Sequence, residues 1–98
     1  MTLDEAVVKV RSKNAGPFWV TIDIFCGDTE VLSRVATSFD NKRVAKLLQQ
    51  PPENIKRFEL ADLAVLKLSF PRPLVQGSAL DRDMHGAQYA LLLAEAIL

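Results

Sequence analysis

The segment from residue 18 to residue 25, FWVTIDIF, constrains the fold of this chain more than any other. Its side chains alternate along an extended backbone, as they do in a strand that buries one side. One side is entirely apolar: Phe18, Val20, Ile22 and Ile24. The opposite side is mixed: Trp19, Thr21, Asp23 and Phe25. This strand therefore predicts a sheet with one buried face, and its aromatic residues on the second face indicate that something covers that face as well.

The other elements follow from periodicity and from turn residues. They are a strand over 6–11, a turn over 12–17, a helix over 29–39, a short helix that ends before Pro51, strands over 55–60 and 64–70, and a helix from about residue 83. Asp28 or Thr29 is expected to cap the first helix, and Asp40 or Asn41 the second. The two later strands are expected to form an antiparallel pair. This order predicts one domain over residues 1–98, an α/β (α+β) two-layer sandwich in which helices cover one face of a four-stranded, largely antiparallel sheet.

Charge and cysteine content exclude several classes of function. Twelve Lys and Arg residues balance twelve Asp and Glu residues, so no net positive field favours sequence-independent nucleic-acid binding. The single cysteine, Cys26, has no partner for an internal disulfide and is expected in the core. The N-terminus has no signal-peptide pattern, and the apolar stretch over 87–98 is too short to span a membrane. We therefore expect a cytoplasmic protein with no membrane partner.

The first candidate site is the polar segment that begins at Arg11. Two cations, a hydroxyl, an amide and a glycine cluster there: Arg11, Ser12, Lys13, Asn14 and Gly16. A loop of this kind can hold an anion or a carboxylate through backbone N–H groups and the Lys13 ammonium. It lacks the spacing of a P-loop or a dinucleotide turn, so a solvated turn is the alternative.

The second candidate site surrounds the only histidine. Arg82, Asp83 and His85 lie close together in sequence, and a carboxylate beside an imidazole is how a general base is prepared. The alternative is that the carboxylates cap the last helix. Asp23 is a further candidate base, against the alternative of a strand residue paired with a Lys or Arg. One histidine makes a zinc site improbable, and we predict neither a metal nor a cofactor.

The last helix points to a partner. Its sequence from residue 89 to residue 98 is apolar nearly all round, and a small domain covers only one side of such a helix well. Contact with a larger subunit or with a second copy of the chain would bury the other side. The expected contact surface is this segment together with the outer side of the Trp19 strand. The alternative is that Ile97 and Leu98 form a further strand or a tail that folds onto the sheet.

Several sequence blocks resemble a small family of bacterial domains of unknown function. They are RSKNAGPF at 11–18, TIDIF at 21–25, FPRP at 70–73, GS at 77–78, DRD at 81–83 and GAQ at 86–88. That family is similar to the C-terminal, ferredoxin-fold-like domain of acyclic terpene utilisation A proteins, and its members are encoded beside such proteins or fused to them. The resemblance implies a ferredoxin-like fold and a role as an accessory subunit. It implies no catalytic residues.

Three functions follow as hypotheses. The first is an accessory or regulatory small subunit of a catabolic enzyme complex that contains an acyclic-terpene-utilisation-type large protein. The second is a free-standing lyase or hydratase, in which His85 and an aspartate move protons while Arg11 and Lys13 hold a substrate carboxylate. The third is a homo-oligomeric structural module.

Overall fold

The structure is a computed structural model, and it describes residues 1–16, 18–71 and 86–98. Its strands and α-helices in chain order are α1 (Leu3–Ala6), β1 (Lys9–Asn14), β2 (Trp19–Phe25), α2 (Thr29–Ser38), α3 (Asn41–Leu48), β3 (Lys56–Leu60), β4 (Val65–Pro71) and α4 (Gly86–Ala94). Short 3₁₀ turns at Pro52–Asn54 and Ala61–Leu63 flank β3.

The strands form one sheet in the order β1-β2-β4-β3, and every neighbouring pair is antiparallel. One face is packed with fully buried apolar side chains: Val20, Ile22, Ile24, Leu66, Leu68 and Phe70. The described helices contribute to the same core, which confirms the predicted α+β sandwich with helices on one face. The arrangement is consistent with a ferredoxin-like fold. When α2 and α3 are counted as one helical connection, the elements from β1 to α4 follow in the order ββαββα. This order is a circular permutation of the ferredoxin-like βαββαβ motif.

Three of the four strands lie within one residue of their predicted positions, and β3 and β4 form the expected antiparallel pair. The prediction of a first strand over 6–11 was wrong. Ala6 ends α1, which begins with a capping box between Thr2 and Glu5 and buries Leu3 completely. The strand then runs on to Asn14, because Asn14 still pairs with β2. The predicted turn over 12–17 therefore begins only after Asn14.

Aspartate side chains begin both middle helices. Asp28 accepts a hydrogen bond from the Val31 N–H at 2.8 Å, and Asp40 accepts one from the Arg43 N–H at 2.8 Å. The N-cap residue of α2 is therefore Asp28 and not Thr29, and that of α3 is Asp40 and not Asn41. Gln49 ends α3 in the left-handed conformation, just before the proline pair.

Arg57 joins the sheet to the junction between α2 and α3. Its guanidinium donates hydrogen bonds to the carbonyl oxygens of Phe39 at 2.7 Å and Ala36 at 2.5 Å, and to Asn41 Oδ1 at 3.1 Å. These carbonyls belong to the last turn of α2 and the residue after it, where helix carbonyls lack intrahelical partners. The covered side of β3, an edge strand, is thus attached to the helical layer by an arginine.

Cys26 lies in the core, as predicted, with 3% of its surface exposed. Its thiol donates to the Ile24 carbonyl oxygen at 3.6 Å. Burial raises the pKa of the Cys26 thiol, and the negative charge of Asp28 raises it further. The residue is therefore a small core side chain and a poor nucleophile.

Helix α4 packs on the covered side of β1 and β2 and also contacts α1 and α3. Tyr89 meets Phe70 edge to face, with ring centroids 5.1 Å apart, and Leu93 is fully buried. After the helix, Ile97 forms an isolated bridge with Thr2. The residues after α4 therefore fold back against the N-terminal segment and not, as the alternative prediction had it, onto the sheet. Arg43 also donates to the Ile97 carbonyl oxygen.

The single contact surface predicted for 89–98 and the outer side of the Trp19 strand was wrong. Helix α4 lies on the covered face of the sheet, whereas Trp19 alternates with the buried Val20 and points to the opposite face. The neighbours α1, α3 and the sheet bury most of the described part of α4, although Leu92 stays 47% exposed. The two surfaces are therefore separate.

Candidate functional site

The sheet face turned away from the helices is the candidate site, and we call it the outer face. Strand alternation and pairing place these side chains on it: Lys9, Arg11, Lys13, Trp19, Thr21, Asp23, Phe25, Lys56, Phe58, Leu60, Val65, Lys67, Ser69 and Pro71. Every helix in the described part of the chain packs into the core on the other side. The outer face combines exposed aromatic and aliphatic side chains with cations.

Charges of opposite sign alternate along a row of residues across the middle of the outer face. In the strand register, Arg11 of β1 lies opposite Asp23 of β2, and Asp23 lies opposite Lys67 of β4. Lys67 in turn lies opposite Phe58 of β3. Lys67 Nζ is 3.9 Å from Asp23 Oδ1, and that oxygen is buried without a hydrogen bond from any described residue. Asp23 is thus a strand residue paired with a cation, and its role as a catalytic base stays a prediction.

Trp19 stands at one end of the outer face beside Lys56. The Lys56 ammonium lies 4.7 Å from the centre of the indole ring, which is a cation–π contact. At the other end, Phe25, Val65 and Leu60 lie side by side, and Leu60 is 38% exposed. Phe58, between these ends, is 49% exposed.

The polar segment at Arg11 does not form a single loop. Because it continues β1, Arg11 and Lys13 point to the outer face, whereas Ser12 and Asn14 point toward the helices. Gly16 follows in the turn with φ of 82°, a conformation that favours glycine. Arg11 and Lys13 are thus brought together with Asp23, and Ser12 and Asn14 are separated from them.

The second predicted site lies outside the described residues. Arg82, Asp83 and His85 belong to that part of the chain. Their catalytic and ligand-binding roles stay predictions, as does the lyase or hydratase hypothesis that depends on them.

Comparison with known families assigns the chain. The profile of a family described as Domain of unknown function (DUF4387) matches residues 3–96. The chain belongs to this family. No curated protein and no solved structure gives a significant match. The match to the DUF4387 profile begins at the first residue of α1 and ends at residue 96, after α4, so it includes the whole outer face.

The described part of the DUF4387 domain contains neither a cluster of metal ligands nor a membrane-spanning helix. Within 1–16, 18–71 and 86–98, no group of three or more His, Cys, Asp or Glu side chains is placed to hold a metal ion. No helix among the same residues has the length and hydropathy that crossing a membrane requires.

Ser12 has a structural contact that its sequence context did not predict. Its side chain is turned inward with the residue 7% exposed, and its Oγ accepts a hydrogen bond from the Ala90 N–H of α4 at 3.0 Å. We expect Ser12→Ala to lower the free energy of unfolding of the DUF4387 domain by about 1 kcal/mol, the net value of one such bond. Urea denaturation measures this.

Lys13→Ala is the matched control, because Lys13 is adjacent, exposed and on the outer face. Its expected change is below about 0.5 kcal/mol. Equal stabilities for the Ser12→Ala variant and the native domain would contradict the structural role of this hydroxyl.

Sequence reasoning missed four members of the DUF4387 outer face that carry its chemistry: Lys9, Lys56, Phe58 and Lys67. Alternation along β2 had already placed Trp19, Thr21, Asp23 and Phe25 on this face. Pairing between strands was the missing information. The register between β2 and β4 joins residues that are forty or more positions apart, and no local pattern reports it.

Proposed function

We propose that this DUF4387 domain is a cytoplasmic accessory or regulatory small subunit of a catabolic enzyme complex, and that it binds a large protein of the acyclic-terpene-utilisation type through its outer face. The observation that carries the proposal is the apolar surface exposed on that face by Phe58 and Leu60 of β3. The resemblance of the sequence blocks supplies the identity of the large protein.

An aromatic group exposed on a strand is typical of surfaces that bind other proteins. Aromatic side chains and arginine are enriched at interfaces, and contiguous apolar patches on a monomer are often functional. Phe58, Leu60 and Phe25 are supported by a sheet, so they lose little conformational freedom when a partner covers them. By contrast, the exposed side chain of Leu92 on α4 is followed in sequence by a fully buried residue, Leu93.

The proposal predicts a complex that depends on the outer face. Co-expressed with a large protein of the acyclic-terpene-utilisation type, the domain is expected to elute as a mixed complex, and light scattering measures the mass of that complex. Phe58→Glu places a charge among apolar contacts and is expected to abolish that complex. Leu92→Glu is the matched control, because Leu92 is 47% exposed against 49% for Phe58 and lies on the opposite side of the sheet.

Two results would contradict the proposal. In the first, the domain elutes alone or as an oligomer of itself in the presence of the large protein, which would favour the homo-oligomeric module. In the second, Leu92→Glu disrupts the complex and Phe58→Glu does not, which would move the contact from the outer face to α4. Circular dichroism of both variants verifies that each one is folded.

A further inference from the structure

We propose that the outer face recognises an acidic segment of its protein partner. The inference rests on the proposed function for the identity of that partner, while the charge of the segment follows from the outer face itself. Among the described residues, the strands present five cations on that face, Lys9, Arg11, Lys13, Lys56 and Lys67, and one carboxylate, Asp23. The whole chain is neutral, so the strands carry an excess of positive charge on this face.

The cations on β1 have a regular spacing. Lys9, Arg11 and Lys13 are exposed and alternate along the strand, so their Cα atoms are separated by about 7 Å. Carboxylates at alternate residues of an extended segment, or at every fourth residue of a helix, repeat at a similar distance, about 6–7 Å. Strand β1 is an edge of the described sheet, so a partner segment can approach along it.

Protection against aggregation is the competing explanation for these cations. Natural proteins place lysine on edge strands to prevent edge-to-edge pairing, which accounts for β1 and for Lys56 on β3. It does not account for Phe58 and Leu60, which expose apolar surface on the other edge strand. Lys67, on the inner strand β4, already lies 3.9 Å from the Asp23 carboxylate. Binding of a partner explains why exposed apolar side chains share a face with the edge-strand cations.

The observations favour a protein over a nucleic acid. The Trp19 ring already carries the Lys56 ammonium, so it is not an open platform for base stacking. The chain as a whole also lacks the basic balance typical of nucleic-acid-binding domains.

A second copy of the chain is disfavoured by charge. In a symmetric contact between two outer faces, the same cations would approach each other. Such a contact is repulsive, because like charges would be brought together as water is excluded. An acidic surface has the complementary charge and can also cover the apolar residues.

Trp19 provides a direct reporter of binding. It is the only tryptophan of the chain, and it lies on the outer face against Lys56. An anion that draws the Lys56 ammonium away from the ring changes the surroundings of the indole. Tryptophan fluorescence therefore reports occupancy of this face without a label.

The experiment titrates the full chain with an oligo-glutamate peptide at low salt and follows Trp19 fluorescence. We expect a saturable change that weakens as salt rises, because salt screens exposed charges. The variant with Lys9→Glu, Arg11→Glu and Lys13→Glu is expected to bind at least roughly tenfold more weakly. The matched control carries Arg34→Glu, Lys42→Glu and Lys46→Glu, which change the net charge equally at exposed helix positions.

Three results would overturn the inference. They are the absence of a saturable change, an equal loss of binding in both triple variants, and tighter binding of oligo-uridylate than of oligo-glutamate by the native chain. The last result would assign the face to nucleic acid.

The affinity for the large protein separates this inference from the proposed function. If the large protein binds the native chain and the β1 triple variant equally, the inference fails and the proposed function stands. If oligo-glutamate binds as expected and the large protein does not bind at all, the proposed function fails and the acidic preference of the face stands.

Discussion

Replacing Phe70 with alanine is expected to lower the free energy of unfolding by about 3–5 kcal/mol, the cost of deleting a buried phenylalanine ring. Phe70 is fully buried on β4 and meets Tyr89 of α4 edge to face. Its loss removes the apolar contact between the central sheet and α4 and leaves a cavity. Because domains of this size are stable by about 5–15 kcal/mol, the variant is expected to be marginal.

Phe58→Ala is the matched control for this prediction. Phe58 is also a strand phenylalanine, but it is 49% exposed on the outer face, so its loss is expected to cost less than about 1 kcal/mol. Thermal and urea unfolding of both variants measure the difference. Equal destabilisation by the two substitutions would contradict the assignment of the covered and outer faces.

Arg57→Met is expected to lower the free energy of unfolding by about 2–4 kcal/mol, because hydrogen bonds from a charged group are among the stronger ones. Methionine keeps the aliphatic part of the side chain but donates no hydrogen bonds. The carbonyl oxygens of Phe39 and Ala36, at the end of α2, then lose their donor. Hydrogen exchange is expected to increase at the junction between α2 and α3, and urea unfolding measures the loss of stability.

Arg57 also forms an ion pair, and the control isolates its contribution. Arg57 Nε is 3.5 Å from Glu59 Oε2, but the Glu59 side chain is 53% exposed. Exposed ion pairs contribute little, so Glu59→Gln is expected to change stability by less than about 0.5 kcal/mol. A larger loss from Glu59→Gln than from Arg57→Met would show that the ion pair, and not the carbonyl contacts, holds β3 to the helices.

The polar segment at Arg11 shows how local chemistry can mislead. Serine, asparagine and glycine close together indicate a turn, and the sequence was interpreted in that way. The structure instead continues the strand through Asn14, because pairing with β2 supplies backbone partners as far as that residue. The polar residues that are adjacent in sequence therefore alternate between the covered face and the outer face of the sheet. Tertiary pairing overrode the local preference of these residues.

The anchor at Arg57 was equally inaccessible to sequence reasoning. Its acceptors are 16 to 21 residues earlier in the chain, on elements whose mutual placement is decided by core packing. A lone arginine in a strand of mixed composition resembles any solvent-exposed cation. Only the packing of α2 against β4 places the carbonyl oxygens near β3.

The amino-acid sequence by itself determined the alternation of β2 and β4, and with it the existence of one covered face and one outer face that carries Trp19. Aspartate caps and prolines likewise placed α2 and α3, because these signals act within a few residues. Only the tertiary structure determined which cations lie with Trp19 on the outer face, and that α4 packs on the covered face. The reason is physical: register and layer packing depend on contacts between residues far apart in the chain, whose energies no local pattern records.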